Sequence, residues 1–200
     1  MLEKDRANLR EVIFSKLLNK YAKEKRIDTT ENEIDLFLRA KEEKESHAQK
    51  ELELEKVHLL KELKNPSMSE EMRLTIDSKI KSIEDSLRAA KEMKEGAEKM
   101  REQLRPMMRN MAKQWIMKWK INKSLYEKYG GRVVFQQSGV EPIDAYRDFL
   151  RDQEKAGSFK IMREAEKELF WEYFTNEKMH TFSEDKDALR LIENPWWLLK

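Results

Sequence analysis

The stretch KELKNPSMSEEM, residues 61–72, decides how this chain folds. Pro66 clashes with the turn before it and pushes Asn65 out of helical geometry, so a helix arriving from the N-terminal side stops there. Ser67-Met68-Ser69-Glu70 then has the form of a capping box and restarts a helix. Upstream, Thr30-Glu31-Asn32-Glu33 is another capping box, in which the Thr30 hydroxyl accepts from the Glu33 amide and Glu33 reaches back to the Thr30 amide. The segment from Ile34 to Leu104 therefore reads as one long antiparallel helical hairpin. Its second arm carries Met72, Ile76, Ile80, Ile83, Leu87, Ala90, Ala97, Met100 and Leu104 at spacings of three, four and seven. The first arm answers with Ile34, Leu38, Ala48, Leu52, Leu59 and Leu63. A turn at Pro66 sets Leu52 against Ile83, Ala48 against Leu87, Leu38 against Ala97 and Leu59 against Ile76, as an antiparallel coiled pair requires. Each arm of about 30 residues is roughly 45 Å long.

From Lys41 to Glu51 only Ala48 is apolar, so the first arm is thin in its middle. The charges there read as a solvated strut laced by Glu/Lys pairs. Apolar residues make up 39% of the chain and charged residues 40%, which favours an elongated, helix-rich protein over a compact α/β enzyme. The net charge of +2 is too small for a nucleic-acid polycation. No apolar run is long enough to cross a bilayer, so no integral membrane segment is expected. Met1-Leu2-Glu3-Lys4 does not open a secretory signal. With no cysteine there is no disulfide or thiol chemistry, a composition that leans toward an envelope protein avoiding mispaired thiols.

The N-terminal segment, from about Asp5 to Arg26, places Leu9, Val12, Ile13, Leu17, Leu18 and Tyr21 on one helical face. The sequence LREVIFSKLLNKYAKEKRIDTTENEIDLFLRAKEE, residues 9–43, resembles the N-terminal chaperone region of SurA-type and PrsA-type periplasmic folding factors. The matching features are a helix ending in a basic stretch (Ala22 to Arg26), a β-branched Ile27, a Thr29-Thr30 cap and the Glu31-to-Ile34 run. They cover about the first 45 residues. Family members with isomerase activity carry a parvulin domain, a β-rich module of about 90 residues. Arg132-Val133-Val134-Phe135-Gln136-Gln137 is the only plausible strand here, so the resemblance implies a holding role without prolyl isomerase activity and supplies no catalytic residues. It also implies a periplasmic or other extracytoplasmic location, with the cytoplasm as the alternative.

The most unusual chemistry runs from Gln103 to Tyr126, which has no acidic residue. Met108, Met111, Trp115 and Trp119 fall on one side of a helix whose first turn can hold Pro106. Methionine is flexible and polarizable and tryptophan offers a large contact area, so such a wall can receive varied apolar segments. Met100, Leu104, Met107, Met108, Met111, Trp115 and Trp119 are the candidate client-binding residues. The same stripe equally describes a core helix whose lysines extend to solvent. A membrane-surface helix or a single-strand nucleic-acid binder would use similar residues, but no RRM, KH or zinc-knuckle pattern accompanies them, and no nucleic-acid partner is expected.

Toward the C-terminus, Tyr129-Gly130-Gly131 is a turn, Glu141-Pro142 opens a helix and Gly157-Ser158 breaks it. A further helix from about Phe159 carries Ile161, Met162, Ala165, Leu169, Phe170, Tyr173 and Phe174. Ser183 caps a last short helix, stopped at Asn194-Pro195. Trp196-Trp197-Leu198-Leu199 then docks on the body or binds something else. Glu55-x-x-His58 and Glu177-x-x-His180 match one element of di-iron bundles, but that chemistry also needs two more inward glutamates and a wide four-helix core, and a chain this rich in glutamate yields such matches by accident. No nucleophile motif or phosphate loop is present. No enzyme activity, metal or cofactor is expected.

The sequence thus predicts an all-α protein, with at most one short strand or hairpin near 132–137. It forms a single SurA-N-like domain over 1–200, with a body of 1–33 and 105–200 and a projecting arm of 34–104. The expected function is ATP-independent, chaperone-like binding of unfolded or extended polypeptide clients. The alternative is a coiled-coil structural or adaptor protein that binds one partner or itself. The arm and Trp196-Trp197 are the candidate surfaces for a homodimer.

Overall fold

In the computed structural model, which describes residues 2–136, 139–183 and 186–199, the chain is mostly α-helical. Seven α-helices, two short 3-10 helices and one small sheet make up its regular structure among the described residues. The chain divides into two compact units, 35–112 and the pair 1–34 with 113–200. Helices α2 (Glu31–Glu62) and α4 (Arg101–Tyr129) each give residues to both units.

Unit 35–112 is built on α2 and α3 (Glu70–Lys99). Lys56 pairs with Glu84 at 2.6 Å, while Arg73 reaches the Leu63 and Asn65 carbonyls at 3.0 and 2.7 Å, so the helices run antiparallel. Their seam buries Leu59, Ile76, Ile80 and Ile83, flanked by Leu52, Leu63, Met68 and Leu87. The turn differs in detail from its expected form. Ser69, not Ser67, caps α3 by accepting from the Met72 amide, and the Ser67 amide instead donates to the Asn65 side chain. That short Asx turn satisfies the chain between the helices. Arg73 donates to the Leu63 and Asn65 carbonyls just beyond the end of α2, and the Asn65 carbonyl also accepts from the Met68 amide.

The seam is shorter than the pattern of apolar positions implies. Ala48 and Ala97 are exposed, as is every residue from 91 to 100. A methyl group buries too little area to hold two helices together where charged residues surround it. The second arm also does not run on to Leu104. Helix α3 ends at Lys99, and Met100 leaves helical geometry (φ −105°, ψ 12°). Its carbonyl accepts from the Gln103 and Leu104 amides as α4 begins. Pro106 is consequently inside α4 rather than in its first turn. The carbonyl of exposed Glu102 has no amide donor four residues on, and water can serve it instead.

The other unit contains α1 (Leu2–Glu24), the second part of α4, β1 (Val133–Gln136), β2 (Gly139–Glu141), α5 (Ile143–Lys155), α6 (Glu164–Thr175), β3 (Phe182–Ser183) and α7 (Lys186–Glu193). The Thr30 capping box forms in both directions, at 2.8 and 3.3 Å. The main core gathers Leu17 and Tyr21 of α1, Ile121 and Leu125 of α4, Tyr146, Phe149 and Leu150 of α5, and Phe170 and Phe174 of α6. On α1, Val12 faces solvent and Phe14 packs on this core, its ring 4.7 Å from that of Tyr146. Helix α6 starts at Glu164, five residues after Phe159. In the preceding non-helical stretch Ile161 turns inward and Met162 outward.

The expected strand near 132–137 is one half of a hairpin, and Gln137 lies outside the described residues. β1 pairs antiparallel with β2 and also with β3, which makes Ser183 a strand residue, and the two residues between it and α7 lie outside the described residues. The preceding turn is set by Gly131 (φ +92°), where an added Cβ would come within 2.4 Å of the Asp144 Cβ. Glycine permits that closeness and that backbone geometry. Asp144 then accepts from the Arg132 amide and guanidinium and from Arg147, tying the start of α5 to the start of β1.

Candidate functional site

Trp115, Lys118, Trp119 and Asn122 stand at positions i, i+3, i+4 and i+7 on α4, and so share one face. The hairpin lies beside that face. The Asn122 amide donates to the Val140 carbonyl at 3.0 Å, and Lys118 pairs with Glu141 at 2.6 Å. Beneath them the Tyr146 hydroxyl donates to the Asn122 side-chain oxygen at 2.5 Å. Burial pushes the Tyr146 phenol well above its ordinary range, so it keeps its proton for that bond. Asn122 and Tyr146 are both buried, and each has a partner for its polar atoms.

Helix α7 closes the other side. Ile192 joins Val133 and Val140 in a second small core. The Trp119 indole N–H donates to the Ile192 carbonyl at 3.0 Å, and the Lys123 ammonium to the Glu193 carbonyl at 3.1 Å. The open carbonyls at the end of α7 are thereby satisfied from α4. The chain turns at Asn194 and buries Pro195. The Trp197 ring then meets Trp119 edge-on at 5.7 Å, and Trp196 meets Trp197 edge-on at 5.6 Å.

Between these elements is a groove of about 70 Å³, walled by Trp115, Trp119, Trp196, Trp197, Val140, Leu191 and Phe135. Phe135 is 63% exposed at its edge. The groove can take apolar side chains against ring faces.

The seven candidate client-binding residues do not fall in one unit. Trp115 and Trp119 line the groove. Met100, Leu104, Met107, Met108 and Met111 belong to unit 35–112. Within it, Met107 is 64% exposed and Met111 37%, Met100 is also open, and Leu104 and Met108 are half-buried. The choice between core helix and open wall therefore divides along α4: Ile116, Ile121 and Leu125 are core, while Met107 and Met111 are surface. Sequence reasoning did not assign Phe135, Asn122 and the Lys118–Glu141 pair to the site. The spacing of Trp115, Lys118, Trp119 and Asn122 is the signal that would have found the α4 members.

Of the histidines in the two Glu-x-x-His matches, His58 lies 3.7 Å from Glu62, and His180 shares a hydrogen bond with the Tyr173 carbonyl. Among the described residues no group of three or more histidine or carboxylate side chains is placed to hold a metal ion. Nor is any described helix long and apolar enough to cross a membrane. No protein-family model, curated protein or solved structure matches the chain.

Proposed function

We propose that this chain is an ATP-independent, chaperone-like binder of non-native or extended polypeptides, without isomerase activity, acting in an extracytoplasmic compartment. The tryptophan-walled groove carries the reading, because it offers ring faces to an apolar side chain beside an exposed Phe135. The open methionines of α4 give a second adaptable apolar surface. The SurA-like pattern of the first residues agrees with a holding role. The test is aggregation suppression: a several-fold excess of the protein should keep a denatured outer-membrane protein in solution after dilution, and its tryptophan emission should shift saturably as client is added. Unchanged light scattering at every ratio would rule the reading out.

A second reading, a structural or adaptor protein, draws on the outer face of α2, where Leu54, Val57 and Leu60 are exposed. A surface of that kind suits a fixed helical partner or a second copy. A single stoichiometric partner in pull-down, with no binding of assorted peptides, would favour it.

A further inference from the structure

We infer that a second copy of this chain docks antiparallel on the outer face of α2, and that the two copies share a divalent transition-metal ion at each end of the contact. The inference rests on the second reading above, in which that face takes a second copy, and adds what holds the copies together. His47 and Glu51 meet across one helical turn, Nδ1 to Oε1 at 3.5 Å, and His58 and Glu62 repeat the arrangement at 3.7 Å. All four side chains are exposed. The two pairs are eleven positions apart, about three turns, so they point the same way, with exposed Leu54 between them.

The donors suit one ion. Imidazole nitrogen and carboxylate oxygen are both zinc ligands, and two ligands held 2.0–2.1 Å from a tetrahedral zinc ion stand about 3.4 Å from each other. Each pair already has nearly that separation. One pair supplies two ligands, whereas a closed structural site needs four. Within one chain the pairs are roughly 16 Å apart along the helix and cannot meet, in keeping with the absence of any group of three or more such donors among the described residues. A second copy supplies the missing half. A two-fold axis between Leu54 and Glu55 is equidistant along α2 from His47 and Glu62, and also from Glu51 and His58. It sets His47 opposite Glu62 of the second copy, Glu51 opposite His58 of the second copy, and the two Leu54 side chains together at the centre. Each end then closes with two histidines and two glutamates, and every histidine faces a carboxylate, the self-complementarity that a two-fold contact requires. One exposed leucine per copy on this line gives far less apolar contact than a stable interface of about 1,200 Å² holds, so the ions carry the association.

The test is sedimentation velocity of the full chain in EDTA and with one equivalent of zinc chloride per chain. The chain should sediment as one copy in EDTA and as two with zinc, and isothermal titration should give one zinc ion per chain. The double variants His47→Ala/Glu51→Ala and His58→Ala/Glu62→Ala should each remain single copies with zinc. Mixed one to one, they should recover a dimer holding one zinc ion, because that pairing rebuilds one complete site while either variant alone rebuilds none. A parent chain that stays single with zinc overturns the inference without reference to any variant. Dimerisation of either double variant alone, or a mixture of variants with parent-like circular dichroism that stays single, overturns the shared antiparallel site. A dimer equally strong in EDTA overturns the metal and leaves the second-copy reading standing. If zinc does nothing while pull-down yields one stoichiometric protein partner, only the inference falls. If there is neither dimer nor partner, the second reading falls with it.

Discussion

Replacing Asn122 with alanine removes the side chain that joins α4, the hairpin and α5. In the folded protein its amide serves the Val140 carbonyl and its oxygen accepts from the Tyr146 hydroxyl, at 3.0 and 2.5 Å. Both Asn122 and Tyr146 are almost fully buried, so water cannot replace the lost bonds without entering the core. Two stranded polar groups at about 1–3 kcal/mol each give an expected loss of about 2–6 kcal/mol. Urea unfolding followed by tryptophan emission and by circular dichroism would measure it. The double variant Asn122→Ala/Tyr146→Phe sharpens the test. It has no stranded hydroxyl, so its loss should fall short of the sum of the two single losses by about 0.5–3 kcal/mol. A loss below about 1 kcal/mol for Asn122→Ala, or strict additivity in the double variant, would refute the placement of this network in a closed core.

Three other perturbations test separate parts of the fold. Gly131→Ala puts a methyl group against the Asp144 Cβ and an alanine at a positive φ, and should cost about 1–3 kcal/mol in thermal or urea melts. Burial works against the charge of Asp144, but hydrogen bonds from the Arg132 side chain and amide and the nearby charge of Arg147 hold its carboxyl below the usual value of 3.8. The stability that Asp144 contributes is therefore present above that value and disappears as pH falls through its lower folded value. The gap in urea midpoint between the parent chain and Asp144→Asn should accordingly be wide at neutral pH and narrow in strong acid. Arg73→Ala removes the donors to the Leu63 and Asn65 carbonyls, and hydrogen exchange at the α2–α3 turn should rise about tenfold, matching the loss of about 1–2 kcal/mol of local stability.

The helical hairpin was legible because its signals are local. Asn65-Pro66 ends the first arm and Ser69 caps the second, and the leucine and isoleucine spacing puts Leu59 and Ile80 on faces that a hairpin brings together. The end of the second arm was not legible. Ala97, Met100 and Leu104 continue the apolar period, yet the helix breaks at Met100 and the residues before it are exposed. Periodicity states which residues share a face and says nothing of whether another surface covers that face. The third strand is a similar case: Phe182–Ser183 is two residues long and pairs with Val133 and Val134 some fifty positions away, a match carried by no local propensity. Trp115 and Trp119 were identifiable as unusual, whereas Phe135 and Asn122 join them through tertiary packing alone.

The polar groups around the groove determine how selective it can be. The Trp119 indole N–H is already engaged with the Ile192 carbonyl, Asn122 with Val140 and Tyr146, and Lys118 with Glu141. A ligand entering there meets ring faces and aliphatic carbons, because directing hydrogen bonds would require breaking bonds that hold the fold. Binding driven by apolar area without directional contacts follows composition more than order. A scrambled version of any peptide that binds should therefore keep its affinity within about threefold, while replacing its aromatic and leucine residues by serine should weaken it by at least tenfold, since each large apolar side chain contributes about 1.5–3 kcal/mol on full burial. Isothermal titration of such sets separates the two functional readings. A holding protein tolerates the scramble, and an adaptor built for one partner loses its ligand with it.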